Sequence, residues 1–348
     1  MSGIKKMIIR MIISGLGVFI YDQLFVQPPL VEADIIEYRE TYSHHSSEVW
    51  EVKFSPDDSL MLSAGIEENA MIWSRSTGEV LHYLPHEVGA PAVDFSPDGR
   101  LAATGAYDGK VRIWDVQTGT LLQVLGDNEG TLWSVDFSPN GQWIAAGGND
   151  DNVCVWDLET GRLVYDLKDA EKNIWEVTFN PSGEALLASG SDHIIRVYDM
   201  ETGQLTHSLQ GHSLVPHSID FSPNGALMAS AGDDKTIKIW DTSSWDLLRT
   251  LKGNNEELHS VLFLDNNRVL AGGTDKSMLG ELLEYHFDFK GFVKPINASL
   301  WDVEKEEILQ TLSLHTDDIG LGMDISADRT LLATPGNDKL IKLWSIML

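Results

Sequence analysis

An aromatic residue closes the same pattern at Trp73, Trp114, Trp156, Tyr198, Trp240, Trp301 and Trp344, in steps of 41, 42, 42, 42, 61 and 43 residues. Self-similarity at this period marks stacked supersecondary units, so the 348 residues read as seven copies of one device rather than as two ordinary domains. Each copy runs through a strand ending in Phe, a Pro/Gly turn, a strand of small residues, an Asp turn and a strand closed by the aromatic. In Ser96-Pro97-Asp98-Gly99, Ser138-Pro139-Asn140-Gly141 and Ser222-Pro223-Asn224-Gly225, proline pre-sets φ for a type I turn between strands a and b. A second turn recurs as Ser76-Thr77-Gly78, Thr118-Gly119, Thr160-Gly161 and Thr202-Gly203, where glycine supplies positive φ between strands c and d. Four antiparallel strands per copy follow.

The motifs Ile113-Trp114-Asp115, Val155-Trp156-Asp157, Ile239-Trp240-Asp241 and Gly211-His212 resemble those of the WD-repeat family, over about residues 35 to 348. The resemblance implies an all-β, seven-bladed β-propeller. It also implies a hydrogen-bonded tetrad within a blade, carried here by His86, Thr104, Asp108 and Trp114, by His212, Ser230, Asp234 and Trp240, and by His315, Thr334, Asp338 and Trp344. The first copy has His45, Ser63 and Trp73 but Glu67 in the Asp position. The third has Ala146 for the hydroxyl and no matching His, so these two blades are expected to be less tightly tied. His, Ser and Asp recurring together are a folding device, and no copy adds an oxyanion-hole motif or a phosphate loop. Neither an enzyme activity nor a cofactor is expected.

The last copy has no fourth strand of its own, and Ile35 to Tyr42 stands just before His45, where a strand d belongs. The N-terminal strand is therefore expected to complete the last blade and remove its open edge.

With 43% hydrophobic and 22% charged residues the chain has ample material for a core. Its 53 acidic and 25 basic residues give a formal charge of -28, which repels a phosphate backbone and argues against nucleic acid as a partner. Cys154, the single cysteine, reads as a small buried hydrophobe.

Ahead of the repeats, Lys5, Lys6 and Arg10 precede or interrupt an apolar stretch, residues 7–26, and Gln27-Pro28-Pro29-Leu30 ends it. The polarity is that of an export signal, with the N-terminus cytoplasmic and the propeller on the other side. The charge-free run, Met11 to Tyr21, is only 11 residues, which leaves a cleaved signal with a site near Ala33 as an alternative, although that site lies far beyond the apolar core at Ile20. If Arg10 snorkels, the stretch supplies 20 residues, long enough for a retained single-pass anchor. The expected organisation is an anchor or signal helix over 1–26, a linker over 27–34 and the propeller over 35–348.

The long sixth step holds an insertion over 276–297, between strands b and c. There Leu282, Leu283, Tyr285, Phe287, Phe289 and Phe292 alternate with His286, Asp288 and Lys290, the pattern of a hairpin strand with one apolar face. Strand order puts it at the same end as the starts of the a strands, where Trp50, Trp133, Trp175, His217 and His259 form a partly aromatic ring with Pro91 and Leu321. Aromatic residues central to a surface are binding anchors, and the acidic excess favours protein subunits with basic surfaces. The leader enters from the opposite end. The combined expectation is a non-catalytic scaffold, an accessory subunit tethered to a membrane complex through residues 7–26. A secreted or periplasmic propeller binding a ligand or metal at the channel mouth is the first alternative, hinted at only by His217, His259 and His286. A cytosolic adaptor is the second. No carboxylate partner for the histidines is apparent in the sequence, so no metal ligands are assigned.

Overall fold

The computed structural model describes residues 35–126, 130–254, 256–274, 298–316 and 319–347. The leader and the insertion residues Leu282, Tyr285, Phe287, Phe289 and Phe292 lie outside them. Among the described residues every regular element is a strand, and no helix is long and apolar enough to cross a membrane.

Seven four-stranded antiparallel sheets make up the unit Ile35–Leu348. In blade 1, strands a to d are Val49–Phe54, Leu60–Gly65, Asn69–Ser74 and Val80–Pro85, paired in that order. Blade 6 keeps the same order across the long step, with Glu257–Phe263, Arg268–Thr274, Ala298–Asp302 and Glu307–Leu312. Blade 7 consists of Asp324–Ile325, Leu331–Pro335 and Ile341–Ile346, completed by Ile36–Tyr42, with Ile36 opposite Ile346 and Tyr42 opposite Ile341. Gln310 on blade 6 clips this closing strand in place: its Oε1 accepts from the amides of Ile35 at 2.9 Å and Ile36 at 3.0 Å, and its Nε2 donates to the Ile36 carbonyl at 2.9 Å.

The strands b and c are buried on both faces, which is why they read as runs of Ala, Leu, Ile and Val rather than as alternation. Their side chains form seven apolar clusters, one at each junction between neighbouring blades. Blade 1 meets blade 2 through Leu62, Ile72, Phe95 and Trp114, and meets blade 7 through Met61, Trp73, Leu331 and Leu343. The ring is closed by packing as well as by strand pairing. At the a–b corners the turn chemistry is direct: Gly99 has φ of 69°, its amide donates to Ser96 O at 2.8 Å, and Ser96 Oγ accepts from the Leu101 amide at 2.9 Å.

The tetrads depart from expectation in blades 1 and 2. In blade 5, Ser230 Oγ lies 2.8 Å from His212 Nε2 and accepts from Trp240 Nε1 at 2.9 Å, while His212 Nδ1 meets Asp234 at 3.0 Å. Blade 7 repeats this with His315, Thr334, Asp338 and Trp344. Blade 1 is not the loose one it was expected to be. The extra methylene of Glu67 lets its carboxylate reach both His45 Nδ1 and the Ser46 amide, and His45 Nε2 lies 2.7 Å from Ser63 Oγ. These bonds, from His45 first, hold Glu67 down to about 2 against a burial that pushes it up. In blade 2, by contrast, the expected set does not close. Asp108 turns to Arg112, bonding at 3.0 and 2.6 Å, and His86 Nδ1 bonds the Leu84 carbonyl instead at 2.9 Å. Burial, with Arg112 nearby, pushes His86 down to about 4, so it is neutral. Blade 6 replaces the histidine by Asn254, whose Oδ1 accepts from Ser299 Oγ and from Trp301 Nε1 at 3.1 Å.

Candidate functional site

The five residues singled out at the strand starts share one structural cause. In blades 1, 3, 4, 5 and 6 the a–b register slips around a single residue: Trp50, Trp133, Trp175, His217 and His259. A bulge re-aims the extra side chain, and it leaves two consecutive positions of the strand on the channel side. The burial pattern of strand a in blades 1, 3 and 4 records this as two adjacent half-buried residues, Trp50-Glu51, Trp133-Ser134 and Trp175-Glu176. Pro91 and Leu321 belong to blades without the slip.

The re-aimed rings touch one another in sequence around the mouth. Trp50 and Trp133 stack with centroids 5.7 Å apart, Trp133 and Trp175 stack at 5.3 Å, Trp175 meets His217 edge-on at 4.8 Å, and His217 meets His259 at 5.1 Å. Both stacked pairs are inclined by 28°, the offset geometry that ring quadrupoles favour. Three of the rings are also pinned by a residue 16 positions on, at the start of the b–c turn. Trp133 Nε1 donates to Asn149 at 2.7 Å, Trp175 Nε1 to Ser191 at 2.8 Å, and His217 Nε2 lies 2.9 Å from Asp233. In blade 1 this position is Ile66, which cannot accept, and the indole N–H of Trp50 is left buried and unpaired.

Below the aromatic arc, strand a turns two further tiers of side chains toward the axis. They carry Glu51 and Glu176, then Lys53, Asp136, Asp220 and Asp324, around a cavity of about 240 Å³, with Asp94 close enough to feel the Lys53 charge. The carboxylates join the blades: each accepts a backbone N–H from the first strand of the next one. Glu51 takes Val93 at 2.8 Å, Asp94 takes Phe137 at 2.8 Å, Asp136 takes Phe179 at 2.6 Å, Glu176 takes Ile219 at 2.5 Å, Asp220 takes Phe263 at 2.6 Å and Asp324 takes Phe54 at 2.7 Å. Ser134, Ser218 and Ser260 do the same for Val177, Val261 and Met323. Where Lys53 stands in place of an acceptor, Asp94 also covers its own neighbour Phe95 at 2.8 Å.

Six carboxylates face one ammonium here. Burial pushes Asp94 up to about 7 and Asp220 to about 6, and raises Asp136, Glu176, Glu51 and Asp324 as well, although Lys53 and the amide bonds pull the other way. Burial alone would lower Lys53, but Glu51, Asp324, Asp94 and Asp136 together hold it well above the usual range for an amine. Among the described residues, the channel is a place where burial holds carboxyl groups back from ionising. At its rim, His217, Asp233 and His259 are, among the described residues, a group whose ligand atoms lie within 4.8 Å of one another.

Comparison with protein families finds the WD domain, G-beta repeat, over residues 37–74, 78–115, 119–157, 161–199, 203–241 and 306–345. The chain belongs to the WD-repeat family. The WD-repeat match starts each copy at strand d and ends it at strand c, which is why the first copy must lend its strand to the last blade. It omits 242–305, the stretch lengthened by the insertion, although the structure builds a WD-repeat blade there. A comparison with curated proteins returned no match.

The WD-repeat resemblance points to the tetrads and the strand-start positions, and the latter do come together at one mouth. The acidic tiers went unread. Each carboxylate sits in an alternating strand such as Ser134-Val135-Asp136-Phe137, where it looks like an ordinary outward-facing residue. The signal that would have found them is the column itself, Lys53, Asp94, Asp136, Thr178, Asp220, Leu262 and Asp324, acidic in four of seven copies. Asp233 was missed likewise, and the offset of 16 from His217 is the signal.

Proposed function

We propose that this propeller is a non-catalytic protein-docking scaffold whose binding surface is the aromatic mouth, and that the mouth receives a Lys or Arg side chain of its partner. The observation that carries this reading is the layering of three indoles, Trp133 stacked between Trp50 and Trp175, over a channel with six carboxylates and one lysine among the described residues. Indole faces attract cations. Carboxylates that burial holds against ionisation regain charge when a cation arrives, so the two layers act on the same group. The buried His, Ser and Asp sets supply no competing chemistry, since Ser230 is fully buried and already takes the indole N–H of Trp240.

The reading extends to a tethered accessory subunit. The leader over 7–26 supports an anchor with the propeller on the non-cytoplasmic side, and the insertion over 276–297 supports a second contact. Retention of the intact chain in membranes after an alkaline wash tests the tether; release into the wash removes it.

The docking surface is tested with short peptides of matched length carrying Arg, Lys, Glu or no charge, followed by tryptophan fluorescence. Arg and Lys peptides should quench it saturably, and the double substitution Trp133→Ala, Trp175→Ala should weaken them at least tenfold, with Tyr83→Ser on the outer strand of blade 1 unchanged. Equal response to acidic and basic peptides refutes the reading.

A further inference from the structure

We infer that the channel mouth carries a binding site for a divalent transition-metal ion of the zinc type, with His217, Asp233 and His259 as its ligands. The inference stands apart from the docking proposal, because its readout is ion uptake and not partner binding.

The three ligands come from the repeat frame itself. His217 and His259 are the bulged residues of strand a in blades 5 and 6, and Asp233 begins the b–c turn of blade 5. In blades 3 and 4 the same frame holds Trp133 with Asn149 and Trp175 with Ser191, pairs made of an N–H donor and a neutral acceptor. Blades 5 and 6 replace the indoles by imidazoles and the neutral acceptor by a carboxylate. Both imidazoles direct Nε2 at one oxygen of Asp233, His217 at 2.9 Å and His259 at 3.9 Å. Zinc at about 2.0–2.1 Å from each ligand in a tetrahedron sets its ligands about 3.3–3.4 Å apart, and the two separations bracket that edge.

A single ion at the convergence point takes Nε2 of both rings and the carboxylate oxygen together, with the hydrogen of His217 on Nδ1. Thr274 Oγ1, 3.4 Å from His259 Nδ1, is placed to orient the second imidazole from behind, as outer partners of metal-binding histidines do. Side-chain exposure rises from 9% at His217 to 20% at His259 and 27% at Asp233, so the fourth coordination position opens outward at the rim. Two imidazoles and one carboxylate suit Zn²⁺, Co²⁺ or Ni²⁺. Three protein ligands leave that fourth position to water or to an incoming donor.

The experiment uses the purified chain, freed of metal by a chelator and then titrated with Zn²⁺ alone by calorimetry. One ion per chain is expected, with affinity reduced at least a hundredfold in both His259→Asn and Asp233→Asn and unchanged in His207→Gln. Co²⁺ should give a visible spectrum of tetrahedral intensity, and His259→Cys should retain binding with a new sulfur-to-cobalt charge-transfer band. Thermal melts in chelator, where His259→Asn should match the unsubstituted chain, separate loss of the site from loss of the fold. No uptake by the intact chain, or uptake undiminished in both substitutions, overturns the assignment.

Discussion

Replacing Asp220 by Asn tests whether the channel carboxylates are junction pieces held against their own ionisation. Asp220 accepts the Phe263 amide across the blade junction at 2.6 Å, and its carboxyl also faces the amide of Phe221. The next copy has Leu262 at the same position, so no neighbouring acceptor can take over. Asn keeps one carbonyl oxygen and turns an NH2 toward the second donor, leaving one buried N–H without a partner, which costs about 1–3 kcal/mol. The effect should depend on pH in a defined direction. Burial raises the folded-state pKa from 3.8 to about 6, so the contribution of Asp220 is complete below the unfolded value and is lost as pH rises through the folded one. Between pH 5 and pH 8 the unsubstituted chain therefore loses roughly 1 kcal/mol that the Asn variant, having nothing to ionise, does not lose. Urea unfolding followed by tryptophan fluorescence should show the variant less stable at pH 5 and the gap narrowed by about that amount at pH 8. A gap that is constant or widens with pH would refute the claim that burial holds the proton on Asp220.

Three further outcomes follow from individual residues. Ile66→Asn gives the orphaned Trp50 N–H the acceptor that Asn149 gives Trp133; Ile66 is 41% exposed, so little packing is lost, and urea unfolding should register a gain of about 0.5–1.5 kcal/mol. Ser189→Ala should be neutral or stabilising by thermal melt, because Ser189 is fully buried and its hydroxyl has no partner. Double-mutant cycles should couple Asp108 to Arg112 by about 1–3 kcal/mol and Glu67 to His45 similarly, with no coupling of Asp108 to His86.

How far the molecule was legible varied with what kind of information each residue carries. The repeat period and the turn chemistry gave seven blades and the closing strand, because proline, glycine and the closing aromatic act locally and the same way in every copy. The tetrads were legible only where nothing competed. Arg112, four residues past Asp108, diverts that carboxylate, and an Asn254 standing in for a histidine does not announce itself in a search for His and Asp. Glu67 was misjudged because a longer side chain was counted as a defect although it spans the same gap. The rim rings were found from their alignment at the strand starts, but the bulge that gathers them depends on backbone registration, which no single residue type marks. Asp233 and the channel carboxylates depend on contacts across turns and between blades, and these appear only when copies are compared column by column.

The offset between sequence copy and blade also orders events in time. During synthesis Ile36–Tyr42 is made long before its partner Ile341–Ile346, and roughly 300 residues at about 5–20 per second is about 15–60 s of waiting. For that interval the nascent chain carries the free edge of an unfinished sheet, the form most open to pairing with a neighbouring chain. Synthesis of Ile341–Ile346, and not that of Ile36–Tyr42, decides when the propeller becomes safe from aggregation, and a ribosome stalled anywhere in the final blade leaves six assembled blades without their lock.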